Sequence, residues 1–230
     1  MSWIRGKQNA WIDLSTYCNA ACPQCHRTNP NGLEKADWLE LIQWDLNQFK
    51  KAFPKQILNS ISFFEICGTW GDPCMNKDIF KICEYIIKNS KSTRITLSTN
   101  GSMRDEDWWW YLGAMCKDRL NIVFTVDGIN QQMHERYRQK TDLSKILNHM
   151  EIIVQSGAIA QGFTVVFKHN EKHIDEIAKM CNVRGATHKW ISSNRWPDGN
   201  VFKYTDHNNN EQVLEKSEDV YKTNRLIHAD

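Results

Sequence analysis

Three closely spaced cysteines constrain this chain more than any other feature. Cys18, Cys22 and Cys25 have the spacing C-x3-C-x2-C. They follow residues 10–17, an apolar segment typical of a β-strand, and a turn-rich stretch at residues 29–32 comes after them. The pattern therefore predicts a loop that leaves a strand and directs three thiols at one ligand.

Four interpretations of this loop are open. Three thiolates suit a [4Fe-4S] cluster with one iron free of protein ligands, because cluster irons prefer cysteine and a complete site has four ligands. Cys18, Cys22, Cys25 and His26 are also a possible ligand set for structural zinc. Cys22 to His26 match C-x-x-C-H, the attachment pattern of haem c. The fourth interpretation is a loop of reduced thiols.

The composition indicates a globular cytoplasmic protein. Hydrophobic residues make up 41% of the 230 residues, enough for one large domain or an α/β barrel. The formal net charge of +2 gives no argument for a nucleic-acid partner. No apolar run of about 18 residues is present, and the N-terminus lacks the apolar region of a signal peptide, so we expect no membrane partner. Haem c is disfavoured, because its attachment takes place outside the cytoplasm.

The remaining cysteines are expected to be reduced, because the cytosol keeps thiols reduced. Cys83, Cys116 and Cys181 fall on apolar faces of predicted helices and are expected in the core. Cys67 and Cys74 flank a loop and receive no role.

Strand and helix patterns alternate along most of the chain. The predicted strands cover residues 10–17, 60–67, 94–99, 121–126, 163–167 and 189–192. Short apolar strands separated by helices indicate a parallel sheet with right-handed crossovers. We therefore expect an α/β fold, either an open, partial barrel or a doubly wound sheet.

Apolar residues at steps of three and four predict the intervening helices. The first helix is predicted over residues 38–53, with the stripe Trp38, Ile42, Leu46, Phe49 and Phe53. The stripes of the later helices begin at Ile79, Trp108, Ile146 and Ile174.

Polar residues follow the predicted strands at the points where those strands end. They are the three cysteines, Gly71 and Asp72, Asn100, Asp127, and Lys168 to Asn170. Because ligands of parallel α/β folds bind at the carboxyl ends of the strands, we expect these residues to meet at one mouth.

Taken together, these motifs resemble the radical S-adenosylmethionine (SAM) superfamily, especially its small stand-alone members such as those encoded by phages. The resemblance covers about residues 8–196. It implies a partial (β/α)6 TIM-type barrel as a core domain at 1–196, followed by a short polar C-terminal extension at 197–230. It also implies that Cys18, Cys22 and Cys25 ligate a [4Fe-4S] cluster whose fourth iron binds SAM.

The resemblance assigns further residues to SAM. Gly71, Asp72 and Pro73 stand where the family has a Gly-Gly-Glu-Pro segment that contacts the amino group. Thr125 and Asp127 resemble the segment that reaches the ribose, and Asn100, Lys168 and Asn170 lie where other members line the cofactor. The chain departs from the family at Gln24, where an aromatic residue is frequent, and at Trp70 and Asp72 within the Gly-Gly-Glu segment.

The implied function is reductive cleavage of SAM to a 5′-deoxyadenosyl radical, which abstracts hydrogen from an unknown substrate, a peptide, a protein or a small molecule. The implied electron donor is a reductase, a flavodoxin or a ferredoxin. The alternatives are a glycyl-radical activating enzyme, a deazapurine-synthase-like enzyme and, in another class, a non-catalytic zinc module.

Two segments receive only a general interpretation. Residues 134–138, His-Glu-Arg-Tyr-Arg, are expected to form a solvated face. The C-terminal extension lacks paired cysteines, so we expect it not to form the auxiliary cluster domain of many peptide-modifying relatives. It is expected to cover the open side of the barrel or to stay mobile.

Overall fold

The computed structural model describes residues 8–29, 32–196, 199–206 and 208–218. Its main feature is a parallel sheet of six strands in sequential order, which confirms the α/β prediction. The strands are β1 (Gln8–Ile12), β2 (Ile61–Ile66), β3 (Arg94–Thr99), β4 (Leu120–Thr125), β5 (Ile159–Val166) and β6 (Thr187–Ser192). β1 and β6 are the two edges, so the sheet is an open half-barrel and not a closed one.

Helices connect the strands and cover one face of the sheet. They are α1 (Leu46–Ala52), α2 (Lys55–Leu58), α3 (Ile79–Asn89), α4 (Glu106–Cys116), α5 (Gln131–Glu135), α6 (Leu143–Gln155) and α7 (Ile174–Asn182). Within the described ranges, no helix has the length and apolar character that a membrane crossing requires.

The two faces of the sheet differ in burial. Ile66, Leu97 and Phe124 are fully buried in the main core. Their neighbours along the strands, including Ser98 and Val123, are only half-buried. Since side chains alternate across a strand, the helix-covered face forms the core, and the opposite face lines the concave side of the half-barrel.

The first helix is shorter than predicted. Helix α1 begins at Leu46, where Asp45 and Gln48 form a capping box: Gln48 N donates to Asp45 Oδ1 (2.8 Å) and Asp45 N donates to Gln48 Oε1 (2.9 Å). Trp38 and Ile42 precede it and are 64% and 54% exposed. The prediction of a helix from residue 38 was wrong, because residues 42–44 instead hydrogen-bond to residues 14–16.

The buried face of α4 is rotated by one residue from the predicted stripe. Trp109, not Trp108, is fully buried, and its Nε1 donates to Met103 O at 3.0 Å. Cys83, Cys116 and Cys181 are buried as predicted.

The described part of the C-terminal extension is a β-hairpin. Strands β7 (Val201–Thr205) and β8 (Glu211–Glu215) pair antiparallel. Tyr204 and Leu214 are buried in a second core, whose other buried members are Ala20, Ala21, Cys22, Leu33, Tyr137 and Phe167. The hairpin therefore packs on the cysteine loop, and residues 219–230 lie outside the described residues.

Candidate functional site

The cysteine loop crosses the carboxyl end of the sheet and rests on the loop that follows β2. Asp72 N donates to Tyr17 O at 2.7 Å. A Cβ atom on Gly71 would lie 2.2 Å from Ser15 O and 2.7 Å from Tyr17 O. Only glycine allows this contact between two main chains, so the Gly71–Asp72 main chain lies against residues 15–17, directly before Cys18.

Gln24 fixes the tip of the cysteine loop. Its backbone has a positive φ of 60°. Its Nε2 donates to Arg195 O at 2.8 Å, and its Oε1 accepts from Ser193 Oγ at 2.9 Å. The residue that departs from the family pattern therefore ties the loop to the segment after β6.

A buried arginine joins the loops that follow β1 and β2. Arg27 is 8% exposed. Its Nη2 donates to Thr16 O at 3.1 Å and its Nε donates to Trp70 O at 3.2 Å. No periodic pattern in the sequence distinguishes this cation from a surface residue.

Arg138 brings a second cation to the cysteines. Its Nε donates to Asp127 Oδ2 at 2.5 Å, and its Nη1 lies 3.8 Å from Cys22 Sγ. The guanidinium also lies over the Tyr137 ring, 4.5 Å from the centroid. The other carboxylate oxygen of Asp127, Oδ1, accepts a hydrogen bond from Val165 N at 2.6 Å.

The prediction that residues 134–138 form a solvated face was therefore wrong at three of the five positions. His134 is fully buried, Tyr137 is 4% exposed, and the Arg138 side chain is 14% exposed. The chain turns back over its own sheet here, because His134 binds the end of β4. The signal available in the sequence was a histidine and an arginine four residues apart, shortly after Asp127.

His134 holds the Arg138 segment in place as a neutral imidazole. Asp127 N donates to its Nδ1 at 3.1 Å, so its Nε2 carries the proton that faces Thr141 Oγ1 at 3.0 Å. Thr141 Oγ1 in turn donates to Arg138 O at 2.5 Å. Burial, with the positive charge of Arg138, lowers the pKa of His134 to about 3.

Asp72 and Asn100 meet beside Cys18. Asn100 N donates to Asp72 Oδ2 at 2.7 Å. Asn100 Nδ2 contacts Asp72 Oδ2 at 2.5 Å and lies 3.9 Å from Cys18 Sγ. Burial raises the pKa of Asp72, and hydrogen bonds from Asn100, Cys74 and Thr99 oppose that rise.

The remaining predicted cofactor residues have different environments. Thr125 Oγ1 is buried and has no hydrogen-bond partner within the described structure. Asn170 supports Asp127: its Nδ2 donates to Asp127 O at 3.0 Å and its Oδ1 accepts from Phe167 N at 2.8 Å. Lys168 forms ion pairs with Glu171, at 3.0 Å, and with Glu218. Thr125 therefore offers an unused group, whereas Asn170 and Lys168 are already paired within the protein.

Burial favours the neutral form of two thiols of the motif, those of Cys18 and Cys22. Burial, reinforced by the negative charge of Asp72, raises the pKa of Cys18 well above its usual range. Burial raises the pKa of Cys22 to about 11, although Arg138 opposes the rise. A bound metal group would supply the positive charge that thiolates at these positions require.

The surroundings of Cys18 and Cys22 suit a group that is held by cysteine thiolates, as iron–sulfur clusters are. Within the part of the chain that the structure describes, no three His, Cys, Asp or Glu side chains are close enough to hold one metal ion. His26, the fourth ligand of the zinc interpretation, is exposed and its ring faces Trp70, with 5.9 Å between centroids. N–H groups of Arg138 and Asn100 are directed at Cys22 and Cys18, as sulfur ligands of clusters require.

Curated relatives match most of this chain. An AdoMet-dependent heme synthase of Oleidesulfovibrio alaskensis is 25% identical over 183 residues, which are 77% of this chain and 42% of that protein. A cysteine-type anaerobic sulfatase-maturating enzyme of Clostridium novyi is 24% identical, over 72% of this chain and 45% of that protein. The chain thus spans less than half the length of these relatives.

Solved structures share the fold. SuiB of Streptococcus suis, crystallised with S-adenosylmethionine, superposes with a TM-score of 0.64 at 15% identity, over 81% of this chain and 41% of that one. The enzyme anSMEcpe with bound AdoMet gives a TM-score of 0.61 at 20% identity, over 82% of this chain and 50% of that one.

The family model of the Radical SAM superfamily matches residues 12–181, which include the three cysteines and all residues assigned to SAM. The sheet order, the cysteine loop and this match agree with one another. The chain belongs to the radical SAM superfamily, the enzymes that use a [4Fe-4S] cluster and S-adenosylmethionine.

Proposed function

We propose that this protein cleaves SAM reductively and uses the resulting 5′-deoxyadenosyl radical to abstract hydrogen from a peptide, protein or small-molecule substrate. The cluster and SAM supply the one-electron bond cleavage when they are bound, and the protein supplies ligands, orientation and a site shielded from water. Its own electron donor would be a reductase, a flavodoxin or a ferredoxin.

One observation supports this proposal most strongly. Three cysteines lie on a single loop at the carboxyl ends of the strands, and N–H groups of two other loops lie near two of their sulfurs: Asn100 beside Cys18 and Arg138 beside Cys22. A loop of unliganded thiols would need neither contact. Cys18, Cys22 and Cys25 are therefore the proposed cluster ligands.

The residues proposed for SAM surround the cysteine loop. Gly71 brings its loop against the main chain of the cysteine loop. Thr125 is proposed to bind SAM through its unused hydroxyl. Asp127 belongs to the proposed set through its ion pair with Arg138. Pro73, Asn100, Lys168 and Asn170 complete the proposed set, and Asp72 belongs to it through its hydrogen bonds to Asn100.

The substrate is proposed to enter from the concave side of the half-barrel, where Ser98, Val123 and Phe163 are only half-buried. A peptide is supported by two fold relatives, SuiB bound to the precursor peptide SuiA and anSMEcpe bound to the Kp18Cys peptide. A small molecule is supported by the name of the curated relative AdoMet-dependent heme synthase.

Anaerobic reconstitution with iron and sulfide tests the metal assignment. We expect about four irons and four sulfides per chain, with the brown colour of a [4Fe-4S] cluster. Cys22→Ala should lose the cluster. Cys83→Ala, which removes a buried thiol outside the loop, and His26→Ala should retain it. Stoichiometric zinc that requires His26 would overturn the assignment.

A further inference from the structure

The Asp72 carboxylate is saturated by donors of the protein itself. Oδ1 accepts from Cys74 N at 2.9 Å and from Thr99 Oγ1 at 2.9 Å. Oδ2 accepts from the main-chain and side-chain nitrogens of Asn100, at 2.7 and 2.5 Å. A carboxylate offers about four acceptor positions, and Asp72 is 3% exposed, so all of them are used.

The Asn100 amide has a fixed orientation. Ser102 N donates to its Oδ1 at 3.0 Å, which turns Nδ2 toward Asp72. Nδ2 has two hydrogens: one is donated to Asp72, and the other is shared between Asn19 Oδ1 at 2.8 Å and Cys18 Sγ at 3.9 Å. One amide group thus connects the loops that follow β1, β2 and β3.

The position of this amide matters for a cluster bound at Cys18. Hydrogen bonds to ligand sulfurs stabilise the reduced, more negative cluster and raise its reduction potential. A rigid donor on a neighbouring loop also holds the ligand in place. Asp72 makes no hydrogen bond to Cys18 Sγ within the described structure, so the hydrogen-bonded path from Asp72 to Cys18 runs through Asn100.

We propose that Asp72 is a positioning residue, which orients Asn100 toward Cys18 and does not itself bind the amino group of SAM. This inference rests on the proposed function, because it assumes that Cys18 ligates the cluster. Main-chain groups of the glycine-containing loop at residues 68–71 are then left to meet the amino group.

The variants Asp72→Asn and Asn100→Ala, alone and combined, test the proposal. The two quantities measured are the rate of iron release to a chelator and the Kd for SAM. We expect Asp72→Asn and Asn100→Ala each to release iron to a chelator several-fold faster than wild type. The double variant should release it no faster than the worse single variant, because both changes break one pathway. The Kd for SAM, measured by calorimetry on the cluster-loaded protein, should rise by a similar factor in the two single variants.

The reduction potential separates positioning from general destabilisation. Asn100→Ala should shift the midpoint of an EPR-monitored titration to a more negative potential. Asn100→Ser, which retains a hydroxyl donor, should recover part of that shift. Asn76→Ala is the matched control: Asn76 is fully buried and donates to Leu14 O and Trp44 O, at 2.7 and 2.8 Å. It should lower stability without moving the potential.

Failure of this inference can be distinguished from failure of the proposed function. A wild-type protein that takes up no iron and sulfide overturns the proposed function together with this inference. A loaded wild-type protein overturns the inference alone in either of two cases. In one, Asp72→Asn weakens SAM binding while Asn100→Ala does not. In the other, both Asn100 variants keep the wild-type potential and rate of iron release.

Discussion

Arg138 and Asp127 form a buried ion pair beside a cysteine of the motif. The Asp127 side chain is fully buried and accepts from Arg138 Nε at 2.5 Å, and the same guanidinium lies 3.8 Å from Cys22 Sγ. The Arg138 guanidinium therefore links three segments: the end of β4, the segment before α6 and the cysteine loop.

Removal of Arg138 should destabilise the protein strongly. Arg138→Met leaves the Asp127 carboxylate buried without its cation, and breaking such a pair costs about 3–5 kcal/mol of the free energy of unfolding. The double variant Arg138→Met with Asp127→Asn should recover part of this loss, because no charge remains unpaired. Urea unfolding of the three proteins measures both effects. A single variant within about 0.5 kcal/mol of wild type, the usual range for surface substitutions, would contradict the role given to the pair.

Gly71→Ala should separate the loops that meet at the cysteines. Its Cβ would lie 2.2 Å from Ser15 O, and a main-chain oxygen cannot move aside as a flexible side chain can. We expect a loss of about 1–3 kcal/mol in unfolding free energy, the usual cost of overpacking, and lower iron content after reconstitution.

Gly32→Ala is the control for this substitution. Its nearest neighbour would be Glu34 N at 4.0 Å, an ordinary van der Waals contact. The two variants should differ clearly in iron content, and equal values would argue against the close approach at Gly71.

Acid should destabilise the protein partly through His134. Its pKa is about 3 in the folded protein and near 6.5 in the unfolded chain, so only the unfolded chain binds its proton between these values. Its contribution is complete above pH 6.5 and falls by about 1.4 kcal/mol per pH unit below it. His134→Gln should therefore reduce the slope of stability against pH between pH 6 and pH 5, measured by urea unfolding. The half-buried residues His169 and His188, whose pKa values desolvation lowers to about 4, should account for part of the slope that remains in the variant. Identical slopes for variant and wild type would show that His134 is protonated in the folded state.

The C-terminal hairpin should stabilise the cysteine loop. Leu214 is fully buried in the core that includes Cys22. Leu214→Ala should cost about 2–5 kcal/mol through lost burial and the cavity that remains, and should speed iron release to a chelator. Val201→Ala, at a position 42% exposed on the same hairpin, should leave both properties near wild type. Unchanged iron release in Leu214→Ala would limit the hairpin to a role in stability.

The sequence predicted features that depend on local spacing. The cysteine spacing and the strand–helix alternation are visible in single segments, and the rule that ligands bind at strand ends places Gly71, Asp72, Asn100 and Asp127 together. The helix predicted from Trp38 instead begins at Leu46, after the capping box of Asp45 and Gln48. Residues 42–44 hydrogen-bond to residues 14–16, a long-range pairing that no local pattern contains.

Long-range pairing explains the other differences. Arg138 is charged and its neighbours in the sequence are mostly polar, so the local sequence predicts an exposed residue. Its burial depends on Asp127, eleven positions earlier, and on Cys22, 116 positions earlier. The hairpin likewise buries Tyr204 against Gln139 and Arg136, with Gln139 Nε2 donating to Tyr204 Oη at 3.1 Å and Tyr204 Oη donating to Arg136 O at 2.9 Å. These contacts join segments that are separate in the sequence, and a single sequence contains no record of which segments meet.

The most direct test of the account is an anaerobic assay for SAM cleavage. The reconstituted protein is reduced, SAM is added, and 5′-deoxyadenosine and methionine are measured by chromatography, with Cys22→Ala and Cys83→Ala as paired variants. We expect 5′-deoxyadenosine from the wild type and Cys83→Ala and none from Cys22→Ala. A fully loaded cluster that neither binds nor cleaves SAM would overturn the proposed function.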